Sequence, residues 1–218
     1  MSDTTSKALT RRPASVSSGF YRAARRAAWV MVRTIIPVSY HYAERLDVDA
    51  PFIVIGNHLS LLDPIIVALP VKRYEIAFMG KKELGGNGLL KRILLNMHTI
   101  FVNRHHSDME AMRAVMKAIR EGEVLGIFPE GTRHHQGLME EVESGAAMIA
   151  LRSGVPMIPV YLTGRARLFR RIHCYVGEPI PMDDLREAGI NRETCQALTE
   201  RITARYRQMA LEAGNDKK

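Results

Sequence analysis

The chain predicts an α/β fold: a mostly parallel central sheet covered by helices on both faces, preceded by an N-terminal amphipathic helical arm. Three observations predict it. Short apolar runs such as Phe52–Ile55, Val124–Phe128 and Pro156–Leu162 alternate with longer stretches of helical period, and strands alternating with helices imply a largely parallel sheet. Gly and Pro punctuate the junctions, at Gly56, Pro70, Gly122 and Gly154. With 218 residues, 46% of them hydrophobic, the chain can bury the core of one α/β domain. No internal repeat or dividing linker is seen.

Residues 1–18 are rich in Ser, Thr and basic side chains and read as disordered. Residues 19–44 read as a helical arm and residues 45–218 as the main domain. From Gly19 to Ile36 the arm can be helical. At roughly 100° per residue, Arg22, Arg25, Arg26 and Arg33 share one arc. Phe20, Ala24, Ala27, Met31 and Ile35 lie opposite, and Trp29 sits beside the arginines. A basic face, an apolar face and an aromatic residue suit a helix lying in a membrane interface; packing on the domain with the arginines in water is the alternative. Pro37 ends or kinks the helix. The apolar run Ala27–Val38 contains Arg33 and falls short of the about 20 residues that a membrane span needs. No secretory signal is apparent. The two cysteines, Cys174 and Cys195, form no framework and fit a reducing compartment.

The remaining elements follow in order. Phe52–Ile55 is a short apolar run closed by Gly56 and reads as a buried strand. Asp63-Pro64 supplies an N-cap and a proline at the first helical position, opening a short helix to Leu69. Tyr74–Met79 is the next strand, Leu89–Leu95 a helix after three glycines, and His98–Asn103 a strand. Ser107 and Glu110 have capping-box spacing, starting a helix to about Glu121. Val124–Phe128 is a strand, and Ser144–Ser153 a helix stopped by Gly154. Pro156–Leu162 and Ile172–Val176 are strands. Asn191 to about Leu211 closes the chain as a helix.

Ligands of such sheets collect beyond the carboxyl ends of the strands. His58, Arg104 and Glu130 each follow a predicted strand by one to three residues. His58 and Asp63 are five positions apart and would not share a face of a regular helix. If His58 lies in the loop and Asp63 at the helix start, the loop can fold back. Asp63 then accepts from one imidazole nitrogen and leaves the other free as a base. Taken alone, the bare spacing favours a simple cap and a satisfied loop histidine over a catalytic pair. Ser60 is not in a nucleophile elbow. The histidines, paired at 105–106 and 134–135, lack metal-ligand spacing, so no metal is expected. Gly131 permits a tight turn with backbone N–H groups aimed into a cleft. Arg133 can grip a phosphate with two hydrogen bonds, and Arg104 adds a second charge. Glu130 would either hold a substrate hydroxyl or fix the turn and an arginine. The net charge of +8 favours acidic partners. Aromatics are few and show no stacking-platform pattern, so no nucleic acid is expected.

Taken together, N-H-x4-D at 57–63, F-V-N-R at 101–104, F-P-E-G-T-R at 128–133 and V-P-M-I-P-V at 155–160 resemble the four ordered motifs of the glycerolipid acyltransferase family. The 1-acylglycerol-3-phosphate acyltransferases are the nearest group, and the likeness covers roughly residues 50–180. Gly80–Leu84 and Val176–Ile180 also look familial. The resemblance implies acyl transfer from acyl-CoA or acyl-ACP, as co-substrate and with no cofactor, to a lysophospholipid acceptor. It implies His58 as catalytic base and Asp63 as its partner. It places Arg104, Glu130, Gly131, Thr132 and Arg133 at acceptor-binding positions, with Lys81 as a further phosphate contact. Backbone N–H groups near His58 are candidate oxyanion donors. The expected location is the cytoplasmic face of the cell membrane, peripheral or monotopic, on an anionic surface. After the third motif the chain departs from the family pattern, with His134-His135 and then Glu143-Ser144 before Gly145. Other acceptors, or a non-catalytic anionic-lipid-binding protein, are the alternatives.

Overall fold

The structure, a computed structural model, describes residues 19–81, 88, 99–102, 109–131, 139 and 142–215. Among these residues seven strands form one sheet: β1 Val38–His41, β2 Ile53–Gly56, β3 Ile76–Lys81, β4 Ile100–Val102, β5 Val124–Ile127, β6 Met157–Leu162 and β7 Ile172–Val176. Their order is β1-β7-β6-β2-β5-β3-β4. Neighbouring strands are parallel except β6 and β7. The helices are α1 Gly19–Thr34, α2 Asp63–Ala68, α3 Met109–Arg120, α4 Ser144–Ser153, α5 Asp183–Glu187 and α6 Arg192–Asn215, with a 3-10 turn at Ala43–Leu46.

The central strands are unbroken apolar runs because both of their faces are covered. Alternate residues of β2 go to opposite sides. Ile53 and Ile55 join Leu125, Ile127 and Met157 against α3, α4 and α6. Phe52 and Val54 join Val124, Ile158 and Val160 against α1 and α2. The period-2 alternation of a strand therefore builds two cores, one on each side of the sheet. Gly154 ends α4 in the left-handed region at φ 66°, as a C-terminal glycine should. At the start of α6, Asn191 and Thr194 bond each other reciprocally through side chain and backbone.

Four features depart from the sequence reading. Residues 38–41 fall inside the span assigned to the arm but form β1, an edge strand paired with β7. Their half-buried pattern carries no apolar run to reveal them. β7 runs antiparallel because residues 163–171 are too few for a crossover, which takes about a dozen or more. The five-residue α5 was not anticipated. Finally, α1 is docked and rotated relative to the wheel drawn from sequence. Tyr21 and Val32 are buried, Ala28 and Met31 pack against the core, and Ile35 is exposed. Arg25 turns inward, donating to the carbonyls of Leu69 and Val71 just past α2. There its charge lies at the C-terminal end of α2, one nitrogen on the cap carbonyl of Leu69 and the other on a carbonyl of the turn beyond. Arg22, Arg26 and Arg33 stay on the outer face, with Arg33 over the Trp29 ring. The predicted helix at 89–95 and the cap residue Ser107 lie outside the described residues.

Candidate active site

The site is built where the central strands β2 and β5, adjacent and parallel, reach the same end of the sheet. β2 stops at Gly56, and a Cβ there would come within 3.0 Å of the Phe128 ring. Asn57 is buried, and its amide exchanges two hydrogen bonds with the backbone of Leu162, at 3.0 and 2.8 Å. A side chain thus continues the β2–β6 ladder past its last backbone pair and anchors the chain immediately before His58.

The loop then folds back around one carboxylate. Asp63 is the first residue of α2 rather than its cap, which is Leu62. Its Oδ2 accepts from the backbone N–H groups of Leu59 and Ser60, at 2.5 and 2.6 Å, and from His58 Nδ1 at 3.0 Å. Its Oδ1 accepts from the Ser60 hydroxyl at 2.5 Å. The Asp63 side chain is 0% exposed, so these four donors replace the water that a buried carboxylate loses. A carboxylate only accepts, so Nδ1 carries the proton and Nε2 presents a lone pair. The Ser60 hydroxyl is spent on Asp63, which removes it as a nucleophile. The N–H groups of Leu59 and Ser60 point at Asp63, and that of His58 at Glu130. The oxyanion donors anticipated beside His58 are therefore already engaged.

Two residues of the third motif hold His58 from the β5 side. The Phe128 ring stacks on the imidazole with centroids 4.5 Å apart, and Phe78 stacks behind Phe128 at 5.7 Å. Glu130 is 7% exposed. Its Oε1 accepts from the His58 backbone N–H at 3.4 Å; its Oε2 has no hydrogen-bond partner among the described residues. Burial pushes the Glu130 carboxyl up to about 7, the His58 N–H opposes that, and the Asp63 charge adds to it. Gly131 is buried at φ 66°, a turn conformation that disfavours a side chain.

The structure thus brings together His58, Asp63, Glu130 and Gly131 of the residues predicted from sequence. Lys81 ends β3, paired with Val102 on β4. Arg104, Thr132 and Arg133 lie outside the described residues. The positioning roles of Asn57 and Phe128 were missed: both stand inside the motifs, but spacing along a chain carries no sign of a ladder bond or a ring stack. Just below the site, the buried Tyr206 hydroxyl of α6 bonds the carbonyls of Ile55 and Val160, tying β2 to β6.

Residues 37–163 match the family model described as Acyltransferase. The chain belongs to this acyltransferase family. It is an O-acyltransferase, and the matched span carries His58, Asp63, Glu130 and Gly131. The chain is 28% identical over 177 residues to the 1-acyl-sn-glycerol-3-phosphate acyltransferase of Bacillus subtilis (strain 168), a match covering 79% of this chain and 87% of that one. It is 31% identical over 156 residues to the protein of the same name from Borreliella burgdorferi, covering 66% of this chain and 62% of that one. Human 1-acyl-sn-glycerol-3-phosphate acyltransferase alpha is 26% identical over 190 residues, covering 77% and 64%. The crystal structure of the 1-acyl-sn-glycerophosphate (LPA) acyltransferase PlsC from Thermotoga maritima shares the fold of this acyltransferase, with a TM-score of 0.62 and 23% identity over 85% of this chain and 76% of that one.

Proposed function

We propose that this acyltransferase moves a fatty acyl group from acyl-CoA or acyl-ACP to the free sn-2 hydroxyl of 1-acylglycerol 3-phosphate, giving phosphatidic acid. The observation that carries the mechanism is the His58 Nδ1 to Asp63 Oδ2 hydrogen bond of 3.0 Å. The shared acceptor in the names of the relatives supports the substrate.

In this reading Nε2 of His58 takes the proton of the sn-2 hydroxyl as its oxygen attacks the thioester carbonyl carbon. Asp63 holds the ring in one tautomer and offsets the charge of the imidazolium that forms. The tetrahedral adduct collapses by breaking its carbon–sulfur bond, and the departing thiolate takes the proton from Nε2. The hydroxyl attacks the thioester directly, so no acyl-enzyme forms. Phe128 fixes the plane of the ring. The Glu130 bond to the His58 backbone favours a fixing role for that carboxyl over a direct hold on substrate. Arg104, Thr132, Arg133 and Lys81 are the proposed acceptor contacts, with the cations on the phosphate.

The enzyme works, in this reading, peripherally on the cytoplasmic face of the membrane. No helix among the described residues is long and apolar enough to cross a membrane. The outer arc of α1, with Arg26, Arg33, Trp29 and Val30, supports an interfacial contact. The test is thiol release with 1-acylglycerol 3-phosphate and each donor type, set beside glycerol 3-phosphate and other lysophospholipids. Turnover of 1-acylglycerol 3-phosphate well above the rest supports the proposal. Preference for another acceptor refutes the substrate while leaving acyl transfer intact.

A further inference from the structure

We propose that the β6–β7 hairpin, residues 163–171, is a second membrane contact, inserting Leu168 and Phe169 into an anionic bilayer beside α1. The inference extends the peripheral-membrane reading above. The segment Arg165-Ala166-Arg167-Leu168-Phe169-Arg170-Arg171 packs four arginines around two large apolar residues. Arg167 and Arg170 form an antiparallel bridge, with the Arg170 N–H donating to the Arg167 carbonyl at 3.3 Å. Leu168 and Phe169 are therefore the two residues of the tip. They are 65% and 77% exposed, an arrangement that leaves apolar surface in water without benefit to folding.

The backbone sharpens the point. Phe169 sits at φ 56°, a left-handed conformation that glycine adopts freely and a bulky side chain does not. Folding alone would favour glycine there; phenylalanine keeps a strained, exposed ring at the apex. Such an outlier points to function.

The hairpin is also placed for the task. The Phe169 N–H donates to the Ile35 carbonyl at the end of α1, at 2.7 Å. This ties the tip to Ile35, the residue just past α1, which is exposed like Trp29 and Val30 of that helix. Its base leaves β6 at Leu162, the residue that pairs with Asn57 next to His58. Tip, α1 terminus and catalytic imidazole thus lie at the same end of the sheet. Four guanidinium groups around an apolar tip complement anionic headgroups over an apolar interior. The same four charges would repel their copies in a second molecule, so lipid is the favoured occupant.

The test uses the full chain and sedimenting vesicles of phosphatidylcholine with and without about a third phosphatidylglycerol. Leu168→Ser with Phe169→Ser should weaken partition to the anionic vesicles by about tenfold or more. Phe169→Gly should also bind less while keeping its melting temperature, because glycine accepts the positive φ. In a Trp29→Phe background, Phe169→Trp supplies a lone indole at the tip. Its emission should shift to the blue on anionic vesicles and be quenched by lipids brominated in their acyl chains. Wild-type partition by the double serine variant, or an unshifted indole emission at position 169, overturns the proposal. So does a lipid-free dimer that the double serine variant breaks into monomers. Thiol release from a short-chain, water-soluble acceptor without vesicles should not change in the double serine variant. Acyl transfer failing in wild type while the tip still binds vesicles would sink the proposed reaction and leave this inference standing.

Discussion

At the scale of the residue, the site is organised by Asp63. One buried carboxylate sets the imidazole tautomer, closes the loop through Leu59 and Ser60, and holds the Ser60 hydroxyl. Asp63→Asn puts an amide donor where only an acceptor serves, and turns the ring over or away. We expect kcat to fall by about 10²–10⁴, with the acceptor KM little changed, read by thiol release. Glu130 gives a separate test through stability. Its folded carboxyl lies at about 7, above the ordinary 4.5, so the fold favours the protonated form. The penalty is absent below about pH 4.5, grows as pH rises towards 7 and is constant above. The stability of wild type relative to Glu130→Gln should therefore fall across that window, by at most about 1.4 kcal/mol per pH unit. Urea unfolding of both proteins at several pH values measures it, and a pH-independent difference contradicts the burial argument. The pairing of His58 with Asp63 could be proposed from sequence because a strand end, a loop and a helix start bracket them. The stack of Phe128 on His58 could not, since β5 reaches β2 only through the sheet.

At the scale of the element, a line of contacts runs from sheet to site. Gly126 of β5 has no room for a methyl group: a Cβ would run into the Phe78 ring and lie 2.8 Å from Ile76. Phe78 stacks on Phe128, and Phe128 on His58. Gly126→Ala should cost about 1–3 kcal/mol by overpacking, and should lower kcat beyond what lost folded protein explains. Chemical denaturation beside an active-site-normalised rate separates the two. Asn57→Ala should leave the Leu162 N–H and carbonyl without their side-chain partner in a dry setting, for about 1–3 kcal/mol. Strand positions were legible where both faces of the sheet are covered, as at β2, β5 and β6, because the whole run is then apolar. β1 was hidden because Val38-Ser39-Tyr40-His41 is a half-buried edge. The helical wheel of α1 was misread because Arg25 is polar yet faces inward to the Leu69 and Val71 carbonyls. Composition cannot show that a guanidinium has found backbone partners.

At the scale of the whole molecule, α1 is part of the fold as well as a surface. Val32 and Tyr21 are buried, with Val32 packed into the core on the α2 side of the sheet. Removing residues 1–36 would therefore strip core contacts, and the better probe of membrane binding is Arg26→Gln with Arg33→Gln. Those two substitutions should weaken binding to anionic vesicles, more so at low salt, while the thermal midpoint stays near wild type. Vesicle sedimentation across a salt series checks it. The two cores place helices on both faces and leave free the end of the sheet that carries His58, with the end of α1 and the β6–β7 hairpin at the same end. Whether the Asp63-held imidazole of His58 is the base is read by kcat/KM for acyl transfer in His58→Ala. A loss of at least about a hundredfold is expected in a protein that still folds; activity within a few-fold of wild type would rule His58 out as the base.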